Sequence, residues 1–203
     1  TKEAIKFFDD AFKLNPTSFD VCSKLGFLTF QVGDLDKSIN YFKKTLLLKP
    51  KSSLGYSNLG LIYSRLNKKD LALQNYLKAH EIDSKNFIVN YNLANYFFYN
   101  NDDKNAEKYY LLSIKLKPEH FYPYNNLFQL YDRSNNLEKL EEIFRAHNIE
   151  IVYHAAAYKH VPLVEINKVE GIINNLSTTR AVSIAAMKNN VRKVVLISSD
   201  KAV

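Results

Sequence analysis

Three asparagines, Asn58, Asn92 and Asn126, stand at intervals of 34 residues. A carboxamide offers one acceptor and two donors, so three of them stacked on successive helices would form a ladder that pairs with an extended peptide backbone without reading its sequence. The same asparagines are suited to purely local helix packing, and the sequence leaves both roles open. Tyr91, Asn95, Phe98, Tyr99, Arg65, Gln129 and Arg133 fall beside them in the same register. They give a mixed polar and aromatic lining that suits a peptide or protein segment. A second candidate for chemistry lies near the other end of the chain, where Asp200 and Lys201 follow Ser199. Taken alone, an adjacent Asp-Lys pair is a solvated dipeptide. The histidines, His80, His120, His147, His154 and His160, lack the paired spacing used for zinc, and no acidic cluster supplies hard oxygen ligands, so no metal is expected.

The elements that would hold the ladder follow from the same interval. Pro16, Pro50 and Pro118 lie 34 and then 68 residues apart, with Ser84 in the place of the missing proline. Counting units from Phe19, Ser53, Phe87 and Phe121 brings Leu25, Leu59, Leu93 and Leu127 to the seventh place, followed by Gly26, Gly60, Ala94 and Phe128. A small residue there lets two helices approach closely, so Phe128 predicts a looser last unit. Phe42, Tyr76, Tyr110 and Phe144 occupy one aromatic place in the second helix of each unit, with Ala72 and Ala106 four residues before two of them. Apolar residues at three- and four-residue intervals, as in Leu59, Ile62, Tyr63 and Leu66, bury one stripe of each first helix. The polar runs Gly33-Asp34, Asn67 to Asp70 and Asn100 to Asp103 read as turns. Ala4, Phe8, Ala11 and Pro16 have the spacing of a second helix alone.

These residues closely resemble the tetratricopeptide repeat family over residues 1 to about 145, a family of 34-residue helix pairs. The resemblance implies a mainly α, right-handed solenoid of a half unit plus four repeats, with the asparagine ladder on its concave face and a peptide or protein segment as partner. The ladder is similar in this respect to the superhelix of the protein O-linked N-acetylglucosamine transferase. Chaperone-binding relatives use Lys at the fifth place to clamp two carboxylates. Here Ser23, Ser57, Tyr91 and Asn125 stand there, which disfavours a chaperone tail.

Composition changes where the register stops. Of the 27 aromatic residues (14 Tyr and 13 Phe), only Tyr153 and Tyr158 lie beyond Asn148. Ile plus Val rise from 10 in the first 148 residues to 16 in the last 55. Enrichment in β-branched residues favours strands, predicted at Ile149 to Ala156 and at Lys193 to Ser199. Between them Asn167 and Glu170 form a capping box, and Val169, Ile172, Ile173 and Leu176 one apolar helix face. The boundary is placed between 146 and 147, with 1–146 as solenoid and 147–203 as a partial strand-helix-strand unit.

His154 to Glu165 (His-Ala-Ala-Ala-Tyr-Lys-His-Val-Pro-Leu-Val-Glu), followed by Leu196 to Val203 (Leu-Ile-Ser-Ser-Asp-Lys-Ala-Val), resembles the nucleotide-sugar 4,6-dehydratases of bacterial surface-polysaccharide synthesis. These are extended short-chain dehydrogenases with a Rossmann-like fold, and the likeness covers about residues 137 to 203. It implies that Ala155 and Ala156 would touch the dinucleotide and that Lys159 and His160 would face the sugar nucleotide. By the same resemblance Asp200 and Lys201 would serve as acid and base at the hexose, and Ser199 would hydrogen-bond the reacting oxygen. Proton transfers of that kind are what a dehydration requires.

A dinucleotide fold also needs a Gly-rich turn that admits the pyrophosphate to a helix N-terminus. Of Gly26, Gly33, Gly55, Gly60 and Gly171, no two form a Gly-x-Gly, and no Tyr has Lys four residues on. The tail is therefore expected to be catalytically inert and to bind no cofactor by itself, NAD(P) being expected only for a complete dehydratase-like domain. The alternative is a part of an NAD(P)-dependent nucleotide-sugar 4,6-dehydratase or epimerase. Both ends are expected to be cuts, since Thr1 falls inside a repeat and Val203 inside a motif.

The net charge of +7 is spread as +4 over residues 1 to 148 (21 basic, 17 acidic) and +3 over the tail (7 basic, 4 acidic). Nucleic-acid binding would want a concentrated basic stripe and is not expected. Apolar runs are too short to span a membrane. The single cysteine, Cys22, takes a packing position and is expected to be a buried thiol, which with the lack of disulfides suits a reducing cytoplasm.

Overall fold

A computed structural model describes residues 2–134, 136–146, 151–155 and 193–197, together with Met187. The helices are α1 (Lys2–Leu14), α2 (Phe19–Gln31), α3 (Leu35–Leu48), α4 (Ser53–Arg65), α5 (Lys69–Ile82), α6 (Phe87–Tyr99), α7 (Asp103–Leu116), α8 (Phe121–Arg133) and α9 (Leu137–Ala146). Two strands follow, β1 (Ile151–Ala155) and β2 (Lys193–Ile197). The chain divides into two compact units, Thr1–Asn125 and Asn126–Val203.

The helix boundaries repeat because their capping residues repeat. Ser18, Ser52 and Asn86 stand 34 residues apart, and each side-chain oxygen accepts the N–H of Val21, Gly55 or Val89 at the start of α2, α4 or α6. Asp34 and Asp102 do the same for Lys37 and Asn105 at the starts of α3 and α7. Such caps are worth about 1 kcal/mol each. Lys37 also bridges the Asp34 carboxylate at 2.8 Å, and that hydrogen bond holds Asp34 below the usual carboxylate range. Before α3, α5 and α7 the backbone reverses through the left-handed region, at Gly33 (φ +84°), Asn67 (φ 55°) and Asn101 (φ 60°). Gly and Asn are the residues that tolerate it. The turns are shorter than the polar runs implied. α5 begins at Lys69 and α7 at Asp103, because the repeat register restarts the helix directly after its cap position.

Within Thr1–Asn125 the core is built from the repeating places. Leu25, Leu59 and Leu93 are buried, as are Phe42, Tyr76 and Tyr110 of the second helices, with Ala72 and Ala106 beside them. A Cβ added at Gly26 would come within 2.9 Å of the Phe42 ring, and one at Gly60 within 2.8 Å of the Tyr76 ring. The absent side chains are therefore what lets α2 lie on α3 and α4 on α5. α1 is tied to α3 by the Tyr41 hydroxyl, which donates to Asp9 at 3.0 Å, and by edge-on contact of Phe12 with Tyr41. Burial with this carboxylate pushes the Tyr41 phenol up to about 12. Cys22 is buried as the sequence predicts, and burial raises its thiol.

Where the proline is missing, a polar group stands in the core. Asn90 of α6 is fully buried and donates from Nδ2 to the carbonyls of Ser84 (2.9 Å) and Asn86 (2.8 Å). Its Oδ1 lies 2.8 Å from His80 Nδ1. With the amide oriented by two carbonyls, Oδ1 must accept, so His80 Nδ1 carries a proton. The ring then meets Tyr109 edge-on at 5.3 Å.

In Asn126–Val203, Leu127, Leu130 and Tyr131 are buried and Phe128 is half-buried. Asn136 caps α9 by accepting the N–H of Lys139 at 3.1 Å. β1 and β2 pair in parallel, Ile151 with Lys193 through Ala155 with Ile197. The helix expected at Asn167 to Leu176 lies outside the described residues.

Candidate functional site

The first-helix face carries the candidate groove, and Asn92 is its best-defined member. Its Nδ2 donates to Ser57 Oγ at 3.0 Å, from α6 to α4 of the preceding repeat. Ser57 is fully buried, so the bond satisfies a hydroxyl that water cannot reach. One N–H and the carbonyl oxygen of Asn92 are left over, on a half-buried side chain whose orientation Ser57 fixes. Asn58, one repeat earlier, is likewise half-buried on α4. Asn126 is half-buried in the second compact unit.

The other predicted lining residues fall into two groups. Asn95 accepts the Tyr110 hydroxyl at 2.7 Å, so its oxygen is engaged in joining α6 to α7. Tyr91 is a ring among rings, parallel to Phe87 at 5.9 Å and tilted against Tyr110 and Tyr122 at 6.1 and 6.3 Å. Phe98 is buried edge-on to Tyr110, whereas Tyr99 beside it is 77% exposed. Arg65 lies 4.4 Å above the Phe30 ring and donates to the Phe30 carbonyl at 3.5 Å, a cation already committed within the repeats. Gln129 and Arg133 are exposed on α8.

The second place of the first helices adds residues that the repeat register alone does not point to. Leu54, Ile88 and Tyr122 recur there at 34-residue spacing and are 44%, 51% and 51% exposed. Leu54 and Ile88 stand four residues before Asn58 and Asn92, which places each pair on one helix face. Their only sequence signal is apolar periodicity, which does not tell an outward face from the buried stripe.

For the tail, Ala155 ends β1 opposite Ile197, the last residue of β2. The two strands thus finish level, and the chain leaves both at the same edge of the pair. Ala156, Lys159, His160, Ser199, Asp200 and Lys201 lie outside the described residues. Four of the five glycines are described, and each serves the repeats: Gly26, Gly55 and Gly60 at close helix contacts and Gly33 in a turn. Among the described residues no glycine is left over for a phosphate cradle, so no step is derived through a dinucleotide. Among the described residues no group of His, Cys, Asp or Glu could hold a metal ion, and no helix is long and apolar enough to cross a membrane.

Residues 53–86 match the tetratricopeptide repeat profile, and residues 88–203 match that of the family described as polysaccharide biosynthesis protein. The latter match begins in α6, so it takes in helices as well as the strand pair. The probable polysaccharide biosynthesis protein EpsC of Bacillus subtilis is 46% identical over 66 residues, which are 32% of this chain and 11% of that protein. The chain thus spans about a tenth of the length of the curated relative it matches. Among solved structures, MamA shares the fold with a TM-score of 0.60 at 20% identity, covering 70% of this chain and 84% of its own. The first tetratricopeptide domain of Spaghetti (RPAP3), bound to an HSP90 peptide, gives 0.55 at 20% identity, covering 58% of this chain and 95% of its own. Its helical repeats and its extended sequence match together make this chain a member of the polysaccharide biosynthesis protein family that carries a tetratricopeptide solenoid.

Proposed function

We propose that the first-helix face holds an extended protein segment and that the chain acts as a binding scaffold. The observation that carries this is the Asn92 carboxamide, fixed by Ser57 at 3.0 Å while keeping a donor and an acceptor for a backbone laid across it. A half-buried amide held in one rotamer has lost its side-chain entropy before binding, which favours affinity. An acidic chaperone tail is disfavoured as the partner, because the fifth place holds Ser23, Ser57, Tyr91 and Asn125 rather than lysines. Titration calorimetry with uncharged peptides tests it: micromolar binding supports the scaffold, and no heat with any peptide overturns it.

A second reading concerns the tail and rests on the level ends of β1 and β2. In open parallel sheets ligands sit outside the carboxyl ends of the strands. Residues 147–203 would then be one strand-helix-strand unit of a Rossmann-like dehydratase domain, with 1–146 as the solenoid. In that domain Ala155 and Ala156 would face NAD(P), Lys159 and His160 the sugar nucleotide, Asp200 and Lys201 would be acid and base at the hexose, and Ser199 would hydrogen-bond the reacting sugar oxygen. Lacking a phosphate cradle, this chain by itself would turn over no nucleotide sugar. Mixing it with UDP-glucose and NADP should give no 4-keto product, and product formation would overturn this. The cysteine usage agrees with a cytoplasmic scaffold.

A further inference from the structure

We infer that the segment held by this face is an uncharged polyproline II stretch with an apolar side chain at every third residue. This rests on the scaffold reading above and names its ligand. Leu54, Ile88 and Tyr122 form a stripe of half-exposed apolar groups, one from each of α4, α6 and α8 and all within the first compact unit. On α4 and α6 the stripe runs beside an asparagine one turn along the same face, Asn58 and Asn92.

The spacing of that stripe selects the ligand's conformation. Asn92 reaches Ser57 and Tyr91 meets Tyr122, so α4, α6 and α8 are direct neighbours. Neighbouring helices lie about 8–10 Å apart. A polyproline II helix turns once in three residues and rises about 9.3 Å in doing so, which returns a side chain to the same face once per helix crossed. A β-strand shows one face every two residues, about 6.6 Å, and falls out of step. Polyproline II also leaves its carbonyls unpaired, and those are the groups that the spare N–H of Asn92 can take.

Charge narrows the ligand further. On α4 and α6 the second, fifth and sixth places are Leu54, Ser57, Asn58, Ile88, Tyr91 and Asn92, all uncharged. These six places compensate no carboxylate or ammonium that a ligand would have to desolvate, and the one cation of α4, Arg65, is held over the Phe30 ring. Aromatic rings flanking such a surface, here Tyr91 and Tyr122, are how proline-rich segments are held elsewhere.

The test measures binding of the full chain to three capped peptides by fluorescence anisotropy. Leu-Pro-Pro-Leu-Pro-Pro-Leu has the inferred spacing, Leu-Leu-Leu-Pro-Pro-Pro-Pro has the same composition without it, and Leu-Ser-Leu-Ser-Leu-Ser-Leu has strand spacing. The first is expected to bind at least tenfold tighter than either of the others. Leu54→Ser and Ile88→Ser should each weaken it at least fivefold, while Leu111→Ser, at an exposed site on α7, should not; circular dichroism confirms that all three fold. Equal binding of the three peptides would overturn the inferred ligand and leave the scaffold reading standing. Binding of none, or of a neutral oligosaccharide alone, would overturn both.

Discussion

The Asn92 side chain donates to Ser57 Oγ, 35 residues earlier in the chain and one repeat away, at 3.0 Å. At Asn92 this bond shows the packing role of the repeating asparagine: one donor joins two repeats, and one N–H and the carbonyl oxygen are left over on a half-buried side chain. Asn92→Ala should therefore cost about 1–2 kcal/mol, because it strands a buried hydroxyl. Ser57→Ala in the same chain should return most of that loss. Urea unfolding of the two single variants and the double variant measures it, and simple additivity would mean that the bond contributes nothing.

Ser84→Pro should stabilise the protein by about 0.5–1 kcal/mol by restricting the unfolded chain. The native backbone is already suited to it. Asp83, which would precede the new proline, has φ −145° and ψ 83°, against −134° and 86° for Lys49 before Pro50 and −144° and 83° for Lys117 before Pro118. A rise in the urea midpoint at unchanged slope is the expected result, and a fall would show that Asn90 needs more of this loop than the Ser84 carbonyl.

Gly60→Leu should lower stability by about 2–3 kcal/mol, since even a Cβ would sit 2.8 Å from the Tyr76 ring. Gly60→Ala should cost less, because the equivalent Ala94 is accommodated in the next repeat, fully buried. Thermal melts of the pair check the ranking.

Burial pushes the Tyr76 phenol up to about 12. The folded state thus keeps a proton that the unfolded chain gives up near its ordinary value of 10.0, so the contribution is complete below pH 10 and falls as pH rises from 10 towards 12. The loss is at most about 3 kcal/mol from this group. Tyr76→Phe should flatten the decline in Tm over that window, and an unchanged slope would place its cause at other tyrosines.

The repeat was legible in the sequence because a solenoid must reuse its packing residues, and Leu25, Leu59 and Leu93 are buried where the register put them. Cys22 was legible for the same reason. The Asn90 network was not, since a polar residue at a core place announces nothing about the loop carbonyls or the His80 ring it meets. Nor was the Leu54, Ile88 and Tyr122 stripe, because apolar periodicity alone does not distinguish an inward from an outward face. The strands came through as β-branched runs, somewhat longer in sequence than the five residues each that pair.

Calorimetric titration of Leu-Pro-Pro-Leu-Pro-Pro-Leu into the Ser57→Ala chain and the Ser57→Ala/Asn92→Ala chain separates packing from recognition, because the buried hydroxyl is absent from both. The account predicts binding by the first and a loss of at least tenfold in the second, and equal affinity in the two would contradict a role for the Asn92 carboxamide in holding a peptide.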